Sequence, residues 1–188
     1  MKRDPIDMRQ DMLKTLITKD ELDAIVARLG REITEDYRGK TPLFIAVLKG
    51  AFIFMADLVR QVDLPCTLDF MAVSSYGSGM TSSGRVKIIK DLDTNIEGKD
   101  VIIVEDILDS GVTLSSLIQM LQTRNPASLR LCTLFDKPAG HKVDIHSDYV
   151  GIEVPNEFIV GYGLDYAEIY RNYPEIAVLK PSVYSEDL

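Results

Sequence analysis

The sequence predicts an α/β fold, in which a mostly parallel central sheet carries helices on both of its faces. Short aliphatic runs alternate with segments of helical periodicity between residues 42 and 135. Residues 101–104 contain only valine and isoleucine, a composition typical of a strand that is buried on both faces. With 188 residues, 46% of them hydrophobic, the chain is long enough to form a sizeable core.

The first predicted element is an amphipathic helix. Thr18 and Glu21 match a capping box, and apolar residues then recur at helical spacing as far as Tyr37. The later elements follow from two signals, apolar runs for strands and helical spacing for helices. Strands are predicted at 42–48, 67–73, 86–89, 101–104 and 129–135, and helices at 51–62 and from Leu114 onward.

The two ends of the chain predict a second, smaller part. Residues 142–180 contain short strand-like runs and little helix. We therefore expect one domain over 1–188, with a core at about 40–140. A small hood, built from about 1–15 and 142–188, is expected to fold over the carboxyl edge of the sheet.

Composition excludes several classes of protein. The net charge of −8 argues against a general nucleic-acid surface, which needs a basic face. No apolar run reaches transmembrane length and the start of the chain lacks a secretory signal, so we expect a cytoplasmic protein without a membrane partner. Cys66 and Cys132 lack metal-ligand spacing, and we expect buried free thiols and no zinc site.

The segment from Glu105 to Thr113 carries the most chemistry. The carboxylates of Glu105, Asp106 and Asp109 and the hydroxyls of Ser110 and Thr113 stand between the central strand and a helix. Loops at this position hold ligands in open α/β sheets, and N–H groups that open a helix bind anions. Because paired carboxylates suit a divalent cation or sugar hydroxyls, the segment predicts a ribose-phosphate site. The alternative is that an Asp or Ser here only caps the helix.

Two of the predicted strands are followed by a lysine at the same carboxyl edge of the sheet. Lys49 and Gly50 follow the strand at 42–48, and Lys137 follows the strand at 129–135. Lys49 can hold a second anionic group and Lys137 can donate to a carbonyl oxygen of a planar base, although surface lysines are the alternative for both. The glycine-containing loop 74–84 lacks the Lys-Ser/Thr of a P-loop, and fits either a closing lid or a plain hairpin loop.

Three further candidates lie near the C-terminal end. Phe158 fits either stacking on a base or core packing. Asp165 and Arg171 are either ligands or members of a structural ion pair. The residues alone leave both questions open.

These motifs together resemble a known family. Residues 101–113 are similar to the phosphoribosyl-pyrophosphate signature of the type I phosphoribosyltransferases, and 136–138, 155–166 and 170–171 are similar to the bacterial hypoxanthine-guanine branch. The resemblance covers about 40–180 and implies the type I phosphoribosyltransferase fold. It also implies a Mg²⁺-dependent enzyme of purine salvage. That enzyme transfers the 5-phosphoribosyl group from phosphoribosyl pyrophosphate to N9 of hypoxanthine or guanine, which gives IMP or GMP and pyrophosphate.

The resemblance implies a role for each matching residue. Asp109 is implied as the catalytic base at N7 of the purine, and the peptide bond before Lys49 is typically cis in this family. The implied phosphoribosyl and phosphate ligands are Glu105, Asp106, Asp109, Ser110, Gly111, Val112 and Thr113. The implied pyrophosphate ligands are Lys49, Gly50, Arg171 and the lid residues Ser75 and Tyr76. The implied purine ligands are Lys137, Phe158, Ile159 and Asp165, and the implied metal ligands are Glu105, Asp106 and Asp165.

Two other functions fit the same fold. A nucleotide-sensing regulator that binds RNA needs a basic face, whereas this chain has 21 Lys and Arg against 29 Asp and Glu. A xanthine-preferring transferase differs in the group recognised at C2 of the base, which side chains do not indicate. Family members are usually dimers or tetramers, so we expect a homo-oligomer. The apolar helix at 51–62 is either an interface or covered by the chain itself.

Overall fold

A computed structural model describes residues 7–75 and 86–184 of the chain. The strands, in chain order, are β1 (Met12–Ile17), β2 (Leu43–Leu48), β3 (Thr67–Ser75), β4 (Val86–Lys90), β5 (Asp100–Leu108), β6 (Ser128–Asp136), β7 (Tyr149–Glu153), β8 (Ile159–Val160) and β9 (Ile176–Leu179). The α-helices are α1 (Lys19–Asp36), α2 (Phe52–Gln61), α3 (Val112–Gln122) and α4 (Pro181–Tyr184). Short 3₁₀ helices span Met8–Asp11 and Pro138–Gly140.

The strands form two sheets. The larger sheet has six strands in the order β4-β3-β2-β5-β6-β7, and only the β3–β4 pair is antiparallel. The smaller sheet is antiparallel, in the order β1-β9-β8. The predicted mostly parallel α/β architecture is therefore confirmed.

The central strands are covered on both faces, because their side chains alternate between two apolar clusters. In β2, Phe44 and Ala46 pack in one cluster with the buried faces of α1 and α2. Leu43, Ile45 and Val47 pack in the other cluster, with the buried face of α3. Each large aliphatic or aromatic side chain buried in this way contributes about 1.5–3 kcal/mol to folding.

Helix α1 begins and docks as its sequence predicts. The Thr18 N–H donates to Oε2 of Glu21 at 2.8 Å, and the Glu21 N–H donates back to Oγ1 of Thr18 at 3.4 Å, which is the predicted capping box. At the other end, Oδ2 of Asp36 accepts from Nη1 of Arg130 and from the hydroxyl of Tyr149, each at 2.7 Å. The helix is thereby fastened to β6 and β7.

Strand β5 is longer than predicted. The sequence analysis ended it at Val104 because two carboxylates follow, yet Glu105 and Asp106 lie inside the strand. Pairing with β6 continues to Leu108, whereas pairing with β2 stops at Val104. The last residues of β5 therefore have β6 on one side only, and their other side faces the turn that follows β2.

The predicted boundary between core and hood is wrong at one point. Strand β7 pairs in parallel with β6, so residues 149–153 extend the core sheet. The small sheet draws on the chain only from Ile159 onward, together with β1, which the sequence analysis did not recognise as a strand. Strand β3 also continues to Ser75, so the loop predicted at 74–84 begins later.

The two cysteines are free, as predicted, but they are not equally buried. Cys132 lies fully buried in β6, whereas Cys66, just before β3, is half-buried. Burial raises the pKa of the Cys66 thiol. Within 7–75 and 86–184, no helix is both long enough and apolar enough to cross a bilayer.

Candidate active site

The candidate side chains follow strands that end at one edge of the large sheet. Lys49 comes after β2, Asp109 after β5 and Lys137 after β6, and these strands run parallel to one another. Strands that run in parallel bring their carboxyl ends to the same edge, where open α/β sheets bind ligands. Three segments far apart in sequence therefore meet around one cleft.

The N-terminus of α3 is open to an anion. Its N-cap is Gly111, which has no side chain to accept a hydrogen bond from the first N–H groups. The capping role considered for Asp109 and Ser110 is therefore not the arrangement found. A cavity of about 120 Å³ lies at this point and is lined by Glu105, Ile107, Leu108, Asp109, Ser110, Gly111, Thr113 and Leu114. Free N–H groups at a helix start bind phosphate well.

Gly111 meets two demands that only glycine satisfies. Its φ of +73° is in the left-handed region, which costs other residues energy. A Cβ at this position would lie 2.6 Å from Cγ2 of Ile145, closer than any real contact. The segment from Val143 to Ile145 therefore packs directly against the backbone that turns into α3.

The carboxylates of Glu105 and Asp106 lie in poorly hydrated surroundings. Oε2 of Glu105 is buried and has no hydrogen-bond partner among the described residues. Burial and the neighbouring Asp106 hold the pKa of Glu105 well above its usual range. Burial also raises the pKa of Asp106 to about 6, although one of its oxygens accepts from the Ile107 N–H at 2.8 Å. A buried carboxylate without a partner is a group that a cation stabilises.

These two carboxylates are of the type that holds Mg²⁺ together with phosphate oxygens. In the described part of the chain, no three Asp, Glu, His or Cys side chains converge as a metal cluster. Mg²⁺ does not need such a cluster, since it is usually held by one or two carboxylates, waters and substrate phosphate oxygens. The unpartnered Oε2 of Glu105 is consistent with this arrangement.

Gly50 packs against the carboxylate of Asp106, and Gly163 packs against the backbone of Gly50. A Cβ on Gly50 would lie 1.6 Å from Oδ2 of Asp106, and a Cβ on Gly163 would lie 2.2 Å from the carbonyl oxygen of Gly50. The peptide bond between Leu48 and Lys49 is cis, as the family resemblance implies. The turn after β2 thus lies between the carboxylate of Asp106 and the C-terminal segment, with no room for a side chain.

Lys49 and Arg171 belong to one ionic network. Nζ of Lys49 lies 2.7 Å from Oε2 of Glu168, and Nη2 of Arg171 lies 2.8 Å from Oδ1 of Asp165. Nη1 of Arg171 donates to the carbonyl of Gly163 at 2.8 Å, while its Nε is buried without a partner among the described residues. The ion pair that the sequence left open between Asp165 and Arg171 is therefore present, and one donor of the guanidinium is still available.

Asp109 and Lys137 face each other across the ends of β5 and β6. Oδ2 of Asp109 lies 3.6 Å from Nζ of Lys137, and the lysine is buried while the aspartate is exposed. The Lys137 N–H donates to the carbonyl of Leu108 at 2.9 Å. A Cβ on Gly140 would lie 2.2 Å from Oδ1 of Asp109, so the aspartate is confined on that side as well.

Phe158 is 41% exposed, which does not agree with the core-packing alternative. Its ring stacks on Tyr184 with centroids 5.0 Å apart and meets Tyr166 edge-on at 5.7 Å. Ile159 follows in β8 with a buried side chain, and the Phe158 carbonyl accepts from the Leu179 N–H. An exposed ring beside a buried strand is suited to cover the face of a planar ligand.

Most of the loop predicted as a lid lies outside the described residues. Ser75 ends β3, and Tyr76 lies outside the described residues, as does the rest of the loop up to residue 85. Conversely, three site residues were not named in advance, namely Gly140, Gly163 and Glu168. Gly140 stands three residues after Lys137, Gly163 lies within the family-like segment 155–166, and Glu168 lies between that segment and residues 170–171, so their spacing to named residues was the available signal.

Comparison with known proteins agrees with this geometry. Residues 17–167 match the family described as the phosphoribosyl transferase domain. The hypoxanthine-guanine phosphoribosyltransferase of Bacillus subtilis is 55% identical over 177 residues, which cover 94% of this chain and 98% of that protein. A bifunctional TilS/HprT protein of Listeria monocytogenes is 57% identical over 95% of this chain, which spans only 28% of that longer protein.

A solved structure extends the likeness to the fold. A hypoxanthine phosphoribosyltransferase from Staphylococcus aureus is 48% identical and superposes with a TM-score of 0.92. The match covers 96% of this chain and 99% of that one. The likeness therefore spans nearly the whole chain.

Proposed function

Since this chain belongs to the phosphoribosyltransferase family, we propose that it makes IMP or GMP by transferring phosphoribosyl from phosphoribosyl pyrophosphate to N9 of hypoxanthine or guanine. The observation that carries the proposal is the pair Asp109 and Lys137, 3.6 Å apart beside an uncapped helix N-terminus. The carboxylate of Asp109 and the ammonium group of Lys137 can thereby accept a proton from, and donate a hydrogen bond to, a purine next to the phosphate site. The reaction belongs to purine salvage.

The phosphoribosyl group is proposed to lie along the end of β5. The N–H groups that open α3 bind the 5′-phosphate, helped by the hydroxyls of Ser110 and Thr113. Glu105 and Asp106 accept hydrogen bonds from the ribose hydroxyls. Pyrophosphate lies toward Lys49, Gly50 and Arg171, where two cations offset its charge. The negative carboxylates suit this chemistry, because C1′ of the ribose becomes positive in the transition state.

The purine is proposed to lie between Phe158 and the ends of β5 and β6. Lys137 donates to O6, and Asp109 accepts the proton from N7 as N9 forms its bond to C1′. Phe158 covers the face of the ring, and the backbone near Ile159 meets its Watson–Crick edge. Adenine has no O6 and loses the Lys137 contact, so the site favours 6-oxopurines. A xanthine-preferring enzyme is the alternative within this reaction.

Mg²⁺ is proposed as the cofactor, held by Glu105 and Asp106, with Asp165 near a second ion. When bound, the ion neutralises charge that develops on the departing pyrophosphate. This assignment is supported by the unpartnered Oε2 of Glu105 and by the raised pKa of both neighbouring carboxyls, since a bound cation would favour their charged forms. A homo-oligomer in the cytoplasm, without RNA or membrane as partner, is the setting we propose.

The decisive assay supplies Mg²⁺ and phosphoribosyl pyrophosphate with hypoxanthine, guanine, xanthine or adenine in separate reactions and follows nucleotide formation. Turnover of the first two bases, with little from adenine, is expected. Predominant turnover of xanthine would replace the proposed substrate with the alternative. Binding of phosphoribosyl pyrophosphate without turnover of any base would favour the RNA-binding regulator, which tight RNA binding at physiological salt would then establish.

A further inference from the structure

Glu168 has no part in the mechanism, yet it contacts both cations proposed to bind pyrophosphate. Oε2 of Glu168 lies 2.7 Å from Nζ of Lys49, and Oε1 lies 3.4 Å from Nη2 of Arg171. One carboxylate therefore bridges a lysine after β2 and an arginine near the C-terminal end. Its two oxygens engage these cations as two oxygens of a bound phosphate would.

The backbone fixes Glu168 in this place. Ala167 and Glu168 have φ values of +50° and +65°, and the Glu168 N–H donates to Oδ2 of Asp165 at 2.8 Å. Tyr166 and Ile169 close the tight turn by pairing with each other. Two consecutive residues in the left-handed region are uncommon outside glycine, so this turn directs the carboxylate toward the sheet edge instead of leaving it on a freely moving loop.

The charge and exposure of Glu168 suit a group that yields to a ligand. The carboxylate of Glu168 is negatively charged at neutral pH, as exposed glutamates are, and it faces the positive charge of Lys49. The side chains of Lys49 and Glu168 are 66% and 63% exposed, and ion pairs this exposed are weak. A polyanion that brings several charges to the same cations can displace such a partner at small cost.

We propose that Glu168 is an intrinsic competitor of pyrophosphate, which occupies Lys49 and Arg171 in the free site and is displaced when the leaving group binds there. The inference rests on the proposed function, because it takes Lys49 and Arg171 as the pyrophosphate ligands. Competition by Glu168 weakens the binding of the product pyrophosphate. When pyrophosphate leaves, the carboxylate of Glu168 takes its place beside Lys49 and Arg171. Glu168 then acts on affinity for pyrophosphate and on its release, without contact to the purine.

The test is isothermal titration of pyrophosphate into the wild-type chain, E168Q and E35Q, with and without Mg²⁺. Glu35 is a matched control because it also pairs with an exposed cation, Arg38, and is 67% exposed, but lies on α1. E168Q is expected to bind pyrophosphate about three- to tenfold more tightly than the wild type, since one repelling charge is removed. E35Q is expected to match the wild type. The difference should shrink at about 1 M salt, where screening limits charge interactions to about 3 Å.

Equal or weaker binding of pyrophosphate by E168Q overturns the inference. Equal affinity of E168Q and wild type would mean that the carboxylate does not compete. Weaker binding by E168Q would mean that Glu168 positions Lys49 for the ligand, and weaker binding only with Mg²⁺ would make it a ligand of the metal. Failure of the wild type to form IMP, with tighter pyrophosphate binding by E168Q, would instead refute the proposed function and leave the competing carboxylate in place.

Discussion

Nζ of Lys137 lies 3.6 Å from Oδ2 of Asp109, although the two residues follow different strands of the sheet. The contact is set by register, because Leu108 at the end of β5 pairs with Asp136 at the end of β6. N7 and O6 are neighbouring atoms on one edge of a 6-oxopurine. A donor and an acceptor this close together therefore match two adjacent atoms of the base proposed here.

Asp109→Asn is expected to lower kcat by about 10²–10⁴-fold, because an amide cannot take the proton from N7. Affinity for phosphoribosyl pyrophosphate should stay within a few-fold of the wild type, since the 5′-phosphate is proposed to bind mainly the N–H groups that open α3. Steady-state rates with hypoxanthine and the Kd for phosphoribosyl pyrophosphate test both statements. An unchanged kcat would remove Asp109 from the role of base.

Gly140→Ala is expected to impair the same proton transfer by displacing the carboxylate of Asp109. The new Cβ would lie 2.2 Å from Oδ1 of Asp109, so the aspartate must move away from its position beside Lys137. We expect kcat to fall about tenfold or more, since small displacements of a catalytic group are costly. Gly39→Ala is the control: it meets no atom within 4 Å, and its φ of +79° makes it a test of backbone strain alone. Equal activity of the two variants would contradict the prediction.

Gly50→Ala is expected to disturb the pyrophosphate end of the site. Its Cβ would lie 1.6 Å from Oδ2 of Asp106, so either the carboxylate or the turn after β2 has to shift. Affinity for pyrophosphate and for phosphoribosyl pyrophosphate should both fall at least several-fold, while circular dichroism retains the α/β signature. A variant that binds both ligands normally would show that the turn adapts freely.

Asp36→Asn is expected to lower thermal stability in a pH-dependent way. The Tyr149 hydroxyl and Arg130 lower the pKa of Asp36 below its ordinary 3.8, so its contribution is present above that value and is lost as pH falls through the folded-state pKa. Because the side chain is 48% exposed, we expect a loss of only about 1 kcal/mol, or about 2–4 °C in Tm, at pH 7.

The pH profile separates this effect from a general loss of packing. The difference in Tm between Asp36→Asn and wild type should narrow as the pH is lowered below 4. Asp23→Asn breaks an exposed pair with Lys19 on the same helix, and it should change Tm little both at pH 7 and below pH 4. A difference that stays constant with pH would exclude the carboxylate as its cause.

Local patterns were sufficient where a strong local signal existed. The capping box of Thr18 and Glu21 marked the start of α1, and the apolar runs of β2 and β6 marked their strands. The Glu105–Thr113 segment was recognised because its carboxylates and hydroxyls lie within nine residues of the chain. These features need no knowledge of distant residues.

The misjudged features depend on distant partners. Glu105 and Asp106 are unusual in a strand, and only the continued pairing with β6 keeps β5 extended through them. The strand β1 is defined by pairing with β9 at the opposite end of the chain. The contact of Glu168 with Lys49 joins residues 119 positions apart, and no local pattern carries that information.

The pairing of β1 with β9 brings two distant positions of the chain together. Met12 at the start of β1 pairs with Leu179 at the end of β9, so these two residues lie side by side. A short linker can therefore join β9 to β1, and the chain can be opened at the exposed turn around Gly98, where an added Cβ meets nothing within 4 Å. The architecture is thus compatible with circular permutation, because the order in which its strands are synthesised is separable from the order in which they pack.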